Sequence, residues 1–139
     1  MTNIRASLAV AAMGLSLAAG SANAGQLWPS SVVGTWHAMA NRSSLTITVS
    51  SQAATGKCRQ IAGTIVDNTG GGATSNLLGF YCPTSGRFHF VRNDAASRVT
   101  YQDYSGNVSD NGRGLYMGGI FAEVLTPANV GEYSFLGSK

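Results

Sequence analysis

Charged residues are scarce in this sequence, and their scarcity argues against several functions. Lys and Arg number 9 and Asp and Glu 6, so 11% of the 139 residues are charged and the formal net charge is +3. In an average soluble protein about a quarter of the residues are charged. No lysine-rich run occurs, so neither nucleic acid nor a membrane surface is an expected partner. Two cysteines and two histidines are too few for a zinc cluster, and no metal or cofactor is expected.

Signatures of catalysis are also lacking. No Gly-x-Ser-x-Gly motif indicates a nucleophilic serine, and the six acidic residues do not form the close pair that glycoside hydrolysis requires. His37 and His89 each lie in a β-rich run and are interpreted as surface or packing residues. The arginines, Arg92 among them, are scattered and are interpreted as solvated surface residues. We therefore expect a protein that is not an enzyme.

The first 24 residues have the pattern of a secretory signal. Arg5 supplies the positive charge, residues 6–19 form a short apolar run, and Ala22-Asn23-Ala24 fits the cleavage rule. The alternative is an N-terminal anchor helix, although the run is short for a membrane span. The expected mature domain is residues 25–139, secreted or periplasmic and with no membrane attachment after cleavage.

Export to an oxidising compartment bears on the two cysteines. Disulfides form and persist in such compartments, and Cys58 and Cys82 make an even count of two. The two residues lack the spacing of a redox-active C-x-x-C pair. We therefore predict an intrachain disulfide between them.

The rest of the chain is a series of short β-rich runs. No segment has a sustained apolar period of 3.6 residues, and turn-forming residues separate the runs. The eight runs are Val32–Met39, Leu45–Ser51, Arg59–Asp67, Leu77–Cys82, Arg87–Arg92, Val99–Asn107, Leu115–Val124 and Glu132–Leu136. The pattern predicts an all-β fold, an eight-stranded antiparallel up-and-down barrel, since closure removes exposed sheet edges. An outer-membrane barrel is disfavoured, because its strands need ~9–11 residues and several runs are shorter.

Several motifs, in order, resemble the avidin and streptavidin family. The matching segments are Gly34-Thr35-Trp36 with Ser43-Ser44-Leu45-Thr46-Ile47, Gly63-Thr64-Ile65-Val66, and Leu78-Gly79 through Arg87-Phe88-His89-Phe90. The resemblance extends over nearly all of residues 34–136. It implies an avidin-like barrel in which Trp36 is buried at one end, and a small ligand such as biotin or a biotin-like molecule.

The resemblance also implies a ligand site near the first hairpin. By position, the asparagine contact of the family falls near Ala38 or Asn41 and its serine contact on Ser43 or Ser44, and Thr46 is expected to add a hydroxyl. The second run leaves one choice open. Either its hydroxyl-bearing row or its apolar row, which is Leu45, Ile47 and Val49, can line the cavity.

The expected ligand site differs from that of the family in one hydrogen-bonding residue and in its aromatic wall residues. The position of the family's binding tyrosine falls on Ile65, which has no hydroxyl, and tryptophan walls are missing. The expected apolar walls are Phe88, Phe90 and Phe121. The missing hydrogen bond and contact area predict micromolar affinity for biotin, or none.

Three further interpretations follow from the sequence. A homo-oligomer is expected, because charges are few and Leu115–Val124 is apolar on both faces. The alternative function is a secreted or periplasmic protein-binding barrel of the proteinase-inhibitor kind, with Gln26–Ser30 as the inserting tail. Tyr104 and the other strand tyrosines are interpreted as girdle or interface residues.

Overall fold

The computed structural model describes residues 28–125 and 131–139, and the predicted signal segment lies outside them. The described chain contains eight strands and no membrane-spanning helix. The strands are β1 (Gly34–Ala40), β2 (Ser43–Gln52), β3 (Arg59–Asp67), β4 (Thr74–Cys82), β5 (Arg87–Asp94), β6 (Thr100–Asp110), β7 (Leu115–Glu123) and β8 (Glu132–Ser138).

The strands close into one barrel. Each strand pairs antiparallel with the next in sequence, and β8 pairs with β1 through His37–Ala40. The predicted fold class, an all-β up-and-down barrel of eight antiparallel strands, is therefore confirmed.

Most strands extend beyond the apolar runs that predict them. β3 has the predicted bounds, whereas β4 begins at Thr74 rather than Leu77 and β6 continues to Asp110. The added residues of β4 are polar, and they are held by pairing with β3, for example Thr74 with Val66. Backbone pairing therefore lengthens strands where side-chain hydrophobicity gives no signal.

Alternation along the strands directs an apolar row into the barrel. In β2, Leu45, Ile47 and Val49 are buried, while Thr46 and Thr48, which alternate with them, lie on the outer face. The apolar row of β2 therefore faces the interior of the barrel, and its hydroxyl-bearing row does not. Successive inward side chains then fill the interior with little space between them.

A chain of aromatic rings fills the part of the interior nearest β5, β6 and β7. Successive ring centroids, from Phe88 to Phe90, Tyr104, Phe121 and Tyr133, are 5.4, 4.9, 5.1 and 5.3 Å apart. These spacings lie within the range of favourable aromatic pairs. The stack occupies volume that an empty ligand cavity would need.

Glycines allow two of these strands to approach closely. Gly106 of β6 is paired with Gly119 of β7, and both are at inward positions. A Cβ atom on Gly106 would lie 2.1 Å from the carbonyl oxygen of Gly118, and one on Gly119 would lie 2.0 Å from that of Ser105. No larger residue fits without moving a backbone, so these glycines set the local curvature of the barrel.

One end of the barrel is closed by the segment that precedes β1. We call residues 28–33 the strap. Trp36 is fully buried beneath it, and its Nε1 donates a hydrogen bond of 2.9 Å to the carbonyl oxygen of Val32. Tyr81 donates to the carbonyl oxygen of Pro29 at 2.7 Å. The predicted burial of Trp36 at a barrel end is confirmed.

Further contacts hold the strap in place. Gln52 Nε2 and Arg59 Nη1 both donate to the carbonyl oxygen of Ser30, at 2.9 and 3.1 Å. At the same end a disulfide joins Cys58 to Cys82, as predicted, and links the start of β3 to the end of β4. A disulfide is consistent with an extracellular or periplasmic location.

Candidate functional site

The opposite end of the barrel is where the first hairpin and the β3–β4 loop meet. The backbone amide nitrogen of Ser44 donates to Thr69 Oγ1 at 2.8 Å. The backbone amide nitrogen of Asn68 donates to the carbonyl oxygen of Ser44, also at 2.8 Å. The first hairpin and the β3–β4 loop therefore lie at the same end of the barrel. No segment equivalent to the strap covers this end among the residues that the structure describes.

A polar depression of about 310 Å³ lies at this end, and we call it the mouth. Its surface is formed almost entirely by polar atoms, in contrast to the apolar interior beneath it. The residues that line the mouth are Ala40, Asn41, Ser43, Asp67, Gln102, Phe121, Glu123 and Tyr133.

Turn geometry positions two of the lining residues. Asn41 adopts a left-handed conformation with φ of 55°, which asparagine tolerates better than most residues. Its backbone amide nitrogen donates to the carbonyl oxygen of Ser134 at 3.0 Å. Asp67 Oδ1 accepts hydrogen bonds from the amide nitrogens of Thr69 and Gly70, both at 3.0 Å. These bonds fix the orientation of the carboxylate at the rim.

A buried set of polar side chains lies beneath the mouth, and we call it the polar network. Arg92 is only 5% exposed, and its Nε donates to Ser75 Oγ at 3.1 Å. Its Nη1 donates to Gln102 Oε1 at 3.1 Å, and its guanidinium carbon lies 5.0 Å from the ring centroid of Tyr101. Tyr101 and Ser75 are hydrogen-bonded through their hydroxyls. The network thus places a cation inside the barrel.

Gln102 connects this cation to the mouth. Its Oε1 accepts from both Arg92 and the hydroxyl of Tyr104, the latter at 2.8 Å, while its Nε2 donates to Glu123 Oε1 at 3.3 Å. Two donors on one side fix which end of the amide is oxygen, so the NH₂ group points to the carboxylate.

Burial changes the acidity of Tyr104. Removal from water raises the pKa of its hydroxyl to about 12, and the nearby charge of Arg92 opposes this rise. The hydroxyl therefore stays protonated at neutral pH and serves as a donor to Gln102.

The predicted ligand residues fall into three groups. Asn41 and Ser43 line the mouth, and Phe121 lies at its inner wall. Phe88 and Phe90 point inward but are buried in the aromatic stack. Ser44 and Thr46 do not line the mouth, because they share the outer face with Thr48. Thr46 Oγ1 instead accepts from Asn68 Nδ2 at 3.0 Å. Ligand binding by any of these residues stays a prediction.

Two sequence-based interpretations are wrong. Arg92 is not a solvated surface residue, because it follows Phe88 and Phe90 at intervals of two and shares their inward face. Tyr104 is not a girdle residue, because it lies in the middle of the aromatic stack. The period of two in β5 was the signal that could have placed Arg92 inside.

Gln102, Glu123 and Tyr133 also line the mouth, and no sequence motif points to them. Glu123 and Tyr133 adjoin the β7–β8 connection, where strand ends are hard to place from hydrophobicity. Gln102 sits at an inward position of β6, two residues before Tyr104.

His89 forms a separate feature on the outer face. Its Nε2 lies 2.7 Å from Asp103 Oδ1, and its ring stacks on Phe80 with centroids 5.5 Å apart. Both members of the ion pair are well exposed, which agrees with the interpretation of His89 as a surface residue. No cluster suited to holding a metal occurs in residues 28–125 and 131–139.

Comparisons with known proteins add no family assignment. No family model, no curated protein and no solved structure matches this chain. The closed barrel of eight antiparallel strands is compatible with a calycin or avidin-like fold.

Proposed function

We propose that this protein is a secreted small-ligand-binding barrel of the avidin-like type, with the mouth as its ligand site. The observation that carries the proposal is the polar network beneath the mouth. A buried ion loses several kcal/mol of hydration free energy. Arg92 is surrounded by polar groups inside an otherwise apolar barrel, and a role in ligand binding would account for this costly placement.

The mouth suits a small ligand rich in hydrogen-bonding groups. Carboxylate, amide and hydroxyl groups converge there from β2, β3, β6, β7 and β8, with Phe121 and Tyr133 beside them. A few polar groups around a concave surface, positioned by a rigid barrel, are the usual features of small-molecule sites.

Biotin is the ligand that the family resemblance suggests, and we expect it to bind weakly. The aromatic stack fills the interior below the mouth, so a bicyclic ring system has little depth to enter. Ile65, at the position of the family's binding tyrosine, is fully buried and offers no hydroxyl. Both features support micromolar affinity or none.

A protein-binding function is the second candidate, and the strap bears on it. The inserting tail proposed from the sequence is Gln26–Ser30. Its first two residues lie outside the described residues, but Trp28 packs against Gly86 and the carbonyls of Pro29 and Ser30 are hydrogen-bonded to the barrel. A segment held in this way is poorly suited to enter a protease cleft.

The outer face supports the proposal of a homo-oligomer. Met39 and Leu136 are neighbours on β1 and β8 and are 53% and 64% exposed. Ile120 and Tyr116 of β7 extend this apolar area. Light scattering at micromolar concentration is expected to give a dimer or tetramer mass, and Leu136→Glu is expected to lower it. A monomer mass for the unaltered protein would refute the assembly.

Two adjacent serines provide a matched test of the ligand site. Ser43 lines the mouth, whereas Ser44 faces outward, so Ser43→Ala is expected to weaken ligand binding while Ser44→Ala leaves it unchanged. Calorimetric titration with biotin and NMR screening of small polar molecules measure this. Sub-nanomolar biotin binding would overturn the expected weak affinity. The absence of any small molecule that shifts the resonances of mouth residues would overturn the proposed function.

A further inference from the structure

The geometry points to a zwitterion, such as a free amino acid, as the class of ligand that the mouth accepts. This inference rests on the proposed function and makes it more specific. It starts from the charges that surround Gln102.

The charge of Arg92 has no ion-pair partner in the described residues. All six acidic residues of the chain lie within 28–125 and 131–139, and the ion pair found there joins His89 to Asp103. The partners of Arg92 are the neutral groups of Ser75, Gln102 and Tyr101. A buried cation with neutral partners is stabilised by a nearby anionic group more strongly than a solvated cation is.

Two carboxylates line the mouth, and one of them is bonded to the other side of the Gln102 amide. Glu123 accepts from Gln102 Nε2, and Asp67 faces the mouth from the end of β3. Gln102 therefore separates the buried cation from the Glu123 carboxylate by the width of one side-chain amide, and Asp67 adds a second negative charge to the same mouth.

This arrangement discriminates between ligands by charge. A simple carboxylate is attracted by Arg92 but repelled by Asp67 and Glu123. A simple amine is attracted by the two carboxylates but repelled by Arg92. A molecule that carries both groups a few bonds apart satisfies both signs at once. Its ammonium group lies toward the two carboxylates, and its carboxylate lies toward Gln102 and Arg92.

The size of the mouth fits a ligand of this kind. About 310 Å³ is at the lower end of the range for small-molecule sites, and the aromatic stack closes the space below. Large ligands would have to remain outside the barrel.

The test is calorimetric titration of the full chain with matched probes. These are glycine and 4-aminobutyrate as zwitterions, and propionate and propylamine as single-charge controls. We expect at least one zwitterion to bind about tenfold or more tightly than both controls. Equal affinity for a control overturns the inference but not the proposed function, because the mouth still binds a small molecule. If none of the four binds while another small molecule shifts the resonances of mouth residues, the inference alone fails.

Two charge-removing variants locate the subsites. Arg92→Gln and Glu123→Gln are each expected to lower zwitterion affinity at least about tenfold. Arg98→Gln, on the exposed β5–β6 loop, is the matched control. NMR supplies a second readout, because ligand addition should shift the side-chain amide resonance of Gln102. If Arg92→Gln fails to fold, Glu123→Gln at the rim still decides the outcome. Unchanged zwitterion affinity in a folded Glu123→Gln protein contradicts the assignment.

Discussion

The two ends of the barrel satisfy their buried polar groups in different ways. At the closed end, Trp36 and Tyr81 donate to backbone carbonyls of the strap. At the open end, Arg92, Gln102 and Tyr104 bond to other side chains. Backbone acceptors are fixed by the fold, whereas side-chain partners can be exchanged for a ligand. We therefore expect the closed end to contribute stability, and under the proposed function the open end supplies the groups that bind the ligand.

The largest expected effect tests the closed end. Trp36→Ala removes a fully buried indole and its hydrogen bond to Val32, and is expected to lower the free energy of unfolding by ~3–5 kcal/mol. Chemical denaturation of the variant and the unaltered protein measures this difference. An unchanged denaturation midpoint would show that the strap does not seal this end.

The disulfide comes next in expected size. Replacing Cys58 and Cys82 together by serine frees a loop of 24 residues, which the chain-entropy model values at about 3 kcal/mol. Denaturation of the double variant measures the loss. Peptide mapping without reductant, which should recover the two cysteines as one linked peptide, checks the bond itself.

A variant at the open end tests the other half of the comparison. Arg92→Met keeps much of the side-chain volume and removes the buried charge, so the free energy of unfolding should stay the same or rise by up to about 2 kcal/mol. Ligand binding at the mouth should fall in the same protein. A stability loss as large as that of Trp36→Ala would make the open end structural too and end the distinction.

Alkaline pH should reduce the stabilising contribution of one buried tyrosine at each end of the barrel. Burial raises the pKa of Tyr104 to about 12, and burial, opposed by Arg59, raises that of Tyr81 to about 12. The folded values exceed the ordinary value near 10.0, so this contribution to stability is complete below pH 10 and is lost as the pH rises toward 12.

Denaturation at pH 9 and pH 11 measures this loss. Tyr104→Phe and Tyr81→Phe should each make stability less sensitive to pH over that interval. A variant with the full sensitivity of the unaltered protein would show that its tyrosine ionises as freely as in water.

The sequence predicts the fold well because the fold depends on local alternation. The period of two in β2 and β5 places apolar rows, and eight such runs with turn residues between them specify a barrel. Alternation alone did not decide which face of β2 is inside, since that depends on how the strands close. The surface interpretation of Arg92 is wrong because it rests on the charge of the side chain. The position of Arg92, two residues after Phe90, predicts the inward face instead. Asn41 and Ser43 lie at the mouth because a short hairpin fixes its turn at a strand end, and their contact with a ligand stays a prediction.

The aromatic stack has a consequence for how this barrel can change. Phe121 reaches the mouth, whereas Tyr104 and Phe90 lie successively further along the same row of rings. Phe90, Tyr104, Phe121 and Tyr133 are register partners on neighbouring strands, so a change of one ring to a smaller side chain is expected to open space beside the rings that remain. The polar rim, which comes from other residues, stays in place. Under the proposed function, the space available to the ligand and the charges that face it therefore come from separate parts of the chain.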